Sequence, residues 1–97
     1  MRTISSQSFR HPAVVAEKRA AKDYAVQFVE VEVDGEEFRV VVDGHHSLEA
    51  ATLDGATVEW VRSPMQAEAD RMGAEAFLSA HRLDCDYHDV TTGYPIW

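Results

Sequence analysis

The alternation of apolar and charged residues is strongest between residues 24 and 43. Val29, Val31 and Val33 alternate with acidic residues, and a second alternating run begins after Asp34-Gly35. A period of two is typical of a strand with one buried face, and Asp-Gly between two such runs is typical of a tight turn. The pattern therefore predicts a β-hairpin whose turn is Asp34-Gly35.

Two short segments have the features of helices. Good helix formers occupy residues 12–22 after a proline at the first position, where its missing N–H costs nothing. Residues 46–54 form the second segment, with Ser47 as a plausible N-cap and Gly55 where a helix would stop. We expect one helix in each segment.

A longer helix is predicted to begin at Ser63-Pro64-Met65-Gln66. This run combines an N-cap residue, a proline at the first helical position and a glutamine three residues after the cap, which is a capping box. The helix should extend to about Arg82. Its apolar stripe, at helical spacing, consists of Met65, Ala69, Met72, Ala76, Phe77 and Ala80.

These elements predict an α+β fold. Residues 57–62 read as a third strand, which gives a three-stranded, mainly antiparallel sheet packed with about three helices. We expect residues 1–97 to form a single two-layer domain. Within it, residues 1–10 are compatible with an edge strand or a mobile arm, and residues 84–97 form a polar and aromatic tail.

The charge of the chain is strongly negative and unevenly distributed. The net charge is −8, with five basic residues and one acid in residues 1–22, and four basic residues and sixteen acids in residues 23–97. A field of this sign repels nucleic acid and attracts basic surfaces. Direct nucleic-acid binding is therefore not expected. The simplest alternative is that the acidity only keeps a small protein soluble.

Little in the sequence indicates catalysis, a metal or a membrane. Cys85 is the single cysteine, and Asp84 and Asp86 beside it disfavour a reactive thiolate. No spacing typical of a metal site and no complete catalytic motif is present. We therefore expect no catalytic residues, no metal and no cofactor. The lone cysteine, the absence of a long apolar run and an N-terminus without a signal-like segment favour the bacterial cytoplasm.

One turn has the signature of a known superfamily. Its residues, at the end of the second predicted hairpin strand and the start of the next helix, are Asp43, Gly44, His45, His46 and Ser47. Residues 38–62 around it resemble the glycine-histidine turn of the ParB-like and sulfiredoxin-like superfamily. That resemblance implies a nucleotide-binding or phosphotransfer site at the turn. Where the superfamily usually has an arginine after the paired histidines, this chain has Ser47.

Acidic residues form rows on the predicted elements. Alternate residues of a strand lie about 6.7 Å apart on one face, and rows of carboxylates can imitate a phosphate backbone. The candidate partner-binding acids are Glu30, Glu32, Asp34, Glu59, Glu68, Asp70, Glu75, Asp84, Asp86 and Asp89. Three aromatic residues of the tail are candidate anchors for the same interface: Tyr87, Tyr94 and Trp97.

Taken whole, the chain resembles the small anti-CRISPR proteins that phages and other mobile elements use against type I systems, in particular type I-C. The features that carry this resemblance are size, acidity and a compact three-strand core, with a C-terminal Thr91-Thr92-Gly93-Tyr94-Pro95 similar to the end of another small inhibitor. It implies a non-enzymatic monomer that binds the large subunit of the type I effector complex, called Cascade, and blocks target DNA as a DNA mimic. An acidic, antitoxin-like accessory protein is a further alternative.

Overall fold

The computed structural model describes residues 1–96, which form five strands and four helices. In chain order these are β1 (Arg2–Ser5), α1 (Pro12–Ala21), β2 (Ala25–Val33), β3 (Glu36–Asp43), α2 (His45–Asp54), β4 (Glu59–Arg62), α3 (Gln66–Met72), α4 (Ala74–Ala80) and β5 (His88–Asp89). None of these helices is long and apolar enough to cross a membrane.

The sheet differs from the predicted one. Its strand order is β4-β2-β3-β1-β5, with β2–β3 and β1–β5 antiparallel and β2–β4 and β1–β3 parallel. The prediction of a three-stranded, mainly antiparallel sheet is therefore wrong: the sheet is five-stranded and mixed. Parallel neighbours need a crossover connection. The connection from β1 to β3 contains α1 and β2, and the connection from β2 to β4 contains β3 and α2.

The predicted hairpin is confirmed. Val33 pairs with Glu36 across the turn, and Asp34 and Gly35 both have left-handed backbone angles, with φ of 52° and 81°. Two consecutive positive φ values are those of a type I′ turn, which matches the natural twist of two antiparallel strands. The turn chemistry thus fixes the register of the two central strands.

The main core lies between one face of the hairpin and helices α3 and α4. Apolar residues at alternate positions of both strands point into it, and Phe77 from α4 is fully buried. Full burial of a side chain of this size stabilises the fold by roughly 3 kcal/mol. The core cluster consists of Ile4, Val29, Val31, Phe38, Val40, Ala69, Phe77, Leu78 and Tyr87.

The opposite face of the hairpin also carries buried side chains. Phe28 and Val41 pair across it and are each less than a tenth exposed. The Arg39 guanidinium lies 4.2 Å from the ring centre of Trp60 and 5.4 Å from that of Phe28, so it stacks on both rings. The sheet therefore packs apolar side chains on both of its faces.

The helix predicted from Ser63 to Arg82 is two helices. Gly73, with φ of 89° and ψ of 155°, separates α3 from α4, and α4 ends at Ala80. The capping box is also absent, because the Gln66 amide bonds the main chain of Glu30 instead. The Glu30 N–H donates to Gln66 Oε1 at 2.7 Å, and Gln66 Nε2 donates to the Glu30 carbonyl at 2.9 Å.

The first and last segments of residues 1–96 each contribute a strand to the sheet. β1 lies between β3 and β5 rather than at an edge, so the first residues are neither an edge strand nor a free arm. The Asp84 carboxylate accepts hydrogen bonds from the N–H groups of Ser8 and Phe9, at 2.8 and 3.1 Å. The tail continues into β5 and bridges back from His88 to Pro95. These contacts join residues that are far apart in sequence, so the alternation of apolar and polar residues within either segment could not predict them.

Candidate functional site

The glycine-histidine turn has a left-handed backbone at Gly44 and no room there for a side chain. Gly44 has φ of 88°, and a Cβ atom there would lie 2.7 Å from the Ala25 carbonyl oxygen. Helix α2 begins immediately after it, at His45. Ser47 is therefore a buried residue of the first turn and not the N-cap that the sequence predicted, whereas Gly55 ends the helix as expected.

His45 is held neutral inside the protein. It is 4% exposed, and its Nε2 lies 2.7 Å from the hydroxyl oxygen of the fully buried Ser5. Burial lowers the pKa of His45 to about 4, and the positive charge of Arg10 contributes to the same shift. A histidine in this state orders the turn against β1 and does not carry a charge near neutral pH.

The neighbouring His46 ties the turn to the segment before α1. Its Nε2 accepts a hydrogen bond from the His11 N–H at 3.2 Å. Asp43 accepts one from the Gly44 N–H at 2.8 Å and stays exposed. The five residues of the predicted turn site are thus together, but two of them, His45 and Ser47, are buried.

Arg10 is the residue near the turn that sequence reasoning missed. Its Nη1 donates to the carbonyls of Gln7 and Phe9, and its Nε is buried without a hydrogen-bond partner among residues 1–96. It lines a cavity of about 390 Å³ on the exposed side of α2. The excess of basic residues in the N-terminal segment indicated that a cation was available there, but the sequence did not predict that Arg10 would lie beside the turn. The cavity is lined by Thr3, Arg10, Leu48, Glu49, Thr52, Trp60, His88, Val90 and Thr91.

A second region, at the turn end of the hairpin, gathers carboxylates from four elements and the turn. We call it the hairpin-end acidic surface and define it by Glu30, Glu32, Asp34, Glu36, Glu37, Asp70 and Glu75. Glu32 and Glu37 are directly opposite each other on paired strands. Four of these acids line one open groove of about 430 Å³ between β2 and α3, and Asp34 and Glu75 line a separate depression that Arg82 also lines.

Few cations neutralise this surface. Arg62 pairs with Glu30 at 3.3 Å, and Arg2 pairs with Glu36 at 3.5 Å. Within residues 1–96, no ion pair involves Glu32 or Glu37, and both are exposed. Like charges directly opposite on adjacent strands are unfavourable. The centre of the surface is therefore a site of uncompensated negative charge.

The predicted acids of the tail have internal roles. Hydrogen bonds from the Ser8 and Phe9 N–H groups lower the pKa of Asp84, which shows that its carboxylate is used to hold the N-terminal loop. Asp86 pairs with Arg82 at 3.1 Å. Asp89 accepts from the N–H groups of the next two threonines, at 2.8 and 3.2 Å. These three residues do not form a free acidic row.

The remaining predicted residues are scattered. Glu68 faces His81 at 3.7 Å, and Glu59 pairs with Ala25 at the end of β2 that is far from the hairpin turn. Of the aromatic candidates, Tyr87 is 2% exposed and donates its hydroxyl hydrogen to the Leu78 carbonyl, so it cannot anchor a partner. Tyr94 is 73% exposed. Trp97 lies outside the described residues.

Neither a metal site nor an activated thiol is evident in residues 1–96. No group of three or more His, Cys, Asp and Glu side chains there is arranged to hold a metal ion. Burial raises the pKa of the Cys85 thiol, and a hydrogen bond to Asp84 raises it further. The thiol is therefore protonated near neutral pH, the form that is a poor nucleophile.

Comparisons with protein-family models, curated proteins and solved structures give no match. An inference about function therefore depends on the geometry of two regions, the glycine-histidine turn and the hairpin-end acidic surface. They lie at opposite ends of the same pair of strands.

Replacement of Gly44 by alanine should destabilise the protein much more than the same change at Gly35. Both residues have left-handed φ angles, of 88° and 81°, but only the Gly44 Cβ would meet a neighbour. We expect Gly35→Ala to cost about 1–2 kcal/mol of unfolding free energy from backbone strain, and Gly44→Ala about 2 kcal/mol more from the added clash. Urea denaturation of the two variants measures both. Equal losses would contradict the close approach to Ala25.

Acid should destabilise the protein through His45. Its folded pKa of about 4 lies below the value of about 6.5 for an unfolded histidine, so its contribution is complete above pH 6.5 and is lost as pH falls towards 4. This loss should approach roughly 2–3 kcal/mol. His45→Gln should flatten the pH dependence of unfolding free energy in that range, whereas the control His46→Gln should retain it. The same profile in both variants would contradict a neutral, buried His45.

Proposed function

We propose that this protein is a non-enzymatic inhibitor that binds a type I CRISPR effector complex and excludes target DNA by acidic mimicry. The hairpin-end acidic surface is the observation that carries the proposal. Its carboxylates come from β2, β3, α3, α4 and the turn, yet they converge on one end of the molecule. We infer that the protein acts as a monomer in the cytoplasm of the host bacterium.

The surface is presented by a rigid scaffold. Acids on one face of a strand recur at about 6.7 Å, and the hairpin that holds them is fixed by its turn and by the core behind it. Binding groups that are already ordered lose less entropy when they meet a partner. The backbone that carries the carboxylates is therefore already in place before a partner binds, which favours recognition by this surface.

Glu32 and Glu37 distinguish the proposal from simple solubility. Solubility needs exposed charge but does not need two carboxylates directly opposite each other, an arrangement that costs stability. A partner that carries lysine and arginine would remove this cost on binding. DNA-reading grooves carry such residues, because they contact phosphates and base edges.

The sequence resemblance to small type I-C inhibitors selects the first partner to test. It implies the large subunit of the effector complex, the one that reads the short flanking motif on target DNA. An acidic protein can reach such a groove rapidly through electrostatic steering. An antitoxin-like role would use the same surface against a different basic partner.

A nucleotide-binding role at the glycine-histidine turn is the second candidate. Arg10 favours it, because its positive charge acts on His45 at the start of α2 and no carboxylate of residues 1–96 forms an ion pair with it, although Glu49 lines the same cavity. A helix N-terminus and a nearby guanidinium are both favourable to phosphate. The cavity that Arg10 lines also contains Trp60, whose ring could contact a base.

Charge reversal at the centre of the acidic surface should strongly weaken inhibition. The double change Glu32→Lys and Glu37→Lys is expected to weaken competition with target DNA for purified type I-C complex by about tenfold or more, equivalent to at least about 1.4 kcal/mol. The matched control is Glu17→Lys with Glu59→Lys, two exposed acids outside the surface. Wild-type binding should also weaken as salt rises. Full inhibition by the first variant would contradict mimicry by this surface.

The second candidate predicts micromolar binding of CTP, ATP or ADP that depends on Arg10. Isothermal titration calorimetry should then show binding by the wild type, loss of binding by Arg10→Ala, and unchanged binding by the control Arg71→Ala, an exposed arginine away from the turn. The physical reason is the loss of a charge-assisted contact to phosphate. No measurable heat with any of the three nucleotides at millimolar concentration would eliminate this candidate.

A further inference from the structure

The outer edge of β2 is covered only in part. β4 runs beside Ala25 to Phe28, and the Ser63 N–H continues this edge with a hydrogen bond to the Phe28 carbonyl at 2.8 Å. The chain then leaves the edge, and the side-chain amide of Gln66 takes the place of a strand. Its oxygen accepts a hydrogen bond from the Glu30 N–H, and its nitrogen donates one to the Glu30 carbonyl. Main-chain groups as far as Glu30 are therefore paired.

The next outward-facing main-chain groups are those of Glu32. Because N–H and C=O directions alternate along a strand, Glu32 presents its groups on the same side as Glu30. No strand of residues 1–96 lies beside it on that side. The open groove of about 430 Å³ borders this part of β2, and Gln66, Gly73 and Ala74 lie along it. The edge is thus accessible to another extended chain.

The charge around this edge selects what can pair with it. Glu30, Glu32, Glu37 and Asp70 line the groove, and Arg62 is the cation at its β4 end. Charged residues on an edge strand normally prevent pairing with another copy of the same protein. Here they repel a second acidic hairpin but attract a segment rich in lysine and arginine.

We propose that an extended basic segment of the partner adds to the sheet along β2, beyond Gln66, and pairs with the main chain of Glu32. Its basic side chains would face the carboxylates of the groove, and its backbone would extend the row begun by β4. Strand addition of this kind derives affinity from main-chain hydrogen bonds and specificity from alternate side chains. The inference rests on the proposed function, since it specifies how the acidic surface engages its partner.

Proline at position 32 separates main-chain pairing from charge. Glu32→Pro removes an N–H that makes no bond to β3, a change that an edge strand tolerates. Glu32→Gln removes the same charge and keeps the N–H, so it is the matched control. The probe is a short fluorescent peptide of alternating lysine and threonine, and its dissociation constant is measured by anisotropy. We expect Glu32→Pro to bind it about tenfold more weakly than Glu32→Gln.

Two further measurements do not depend on the folding of the proline variant. A peptide of identical charge with N-methylated alternate amides cannot pair with a strand, and it should bind the wild-type protein weakly. Hydrogen exchange at the Glu32 amide of the wild type should slow when the unmodified peptide is bound. Equal binding of both peptides, or unchanged exchange, would overturn strand addition, as would the absence of peptide binding.

The outcomes also separate this inference from the proposed function. If Glu32→Pro competes with target DNA for the type I-C complex as well as Glu32→Gln does, strand addition is wrong and mimicry by charge stands. If the double charge reversal at Glu32 and Glu37 leaves competition intact, the proposed function itself fails. A protein that binds the basic peptide by pairing but never competes with DNA would retain the edge site with a different basic partner.

Discussion

The pairing of β2 with β3 is the interaction on which the rest of the structure depends. Its turn end holds Asp34 and Gly35 in left-handed conformations and displays the acidic surface. Its other end leads through Asp43 into Gly44, whose contact with the Ala25 carbonyl leaves no room for a side chain. One ladder of hydrogen bonds therefore positions both candidate sites, and a slip of one residue would move every side chain to the wrong face.

The fold tolerates the repulsion between acids at this end of the ladder because apolar side chains are buried on the opposite face of the hairpin. Glu32 and Glu37 oppose each other at a cost of some tenths of a kcal/mol to about 1 kcal/mol. Val31 and Phe38, paired next to them on the opposite face, are both buried. Burial of two such side chains contributes roughly 3–6 kcal/mol. Packing thus outweighs repulsion, and the fold tolerates the two opposed acids.

Local patterns predicted local structure and failed where distant segments meet. The hairpin was predictable, since alternation and Asp34-Gly35 determine it within a few residues. The insertion of β1 beside β3 was not, because it depends on contacts across more than thirty residues. The predicted capping box failed for the same reason, because the Gln66 side chain bonds the distant main chain of Glu30 and not the start of its own helix. At the sites, the acids of β2 were predicted, whereas the position of Arg10 and the burial of Tyr87 required the fold.

The carboxylates beside the exposed edge of β2 disfavour pairing of that edge with a second copy of the protein. An apolar edge with free main-chain groups would pair with other copies and aggregate. Acids at Glu30, Glu32 and Glu37 make that pairing repulsive, because each copy would place like charges against like charges. A basic strand meets the opposite condition at the same positions. In the proposed mode of binding, specificity for a cationic partner and resistance to self-association would both follow from one arrangement of charge on one strand. The apolar core behind that strand would then serve the stability of the fold alone.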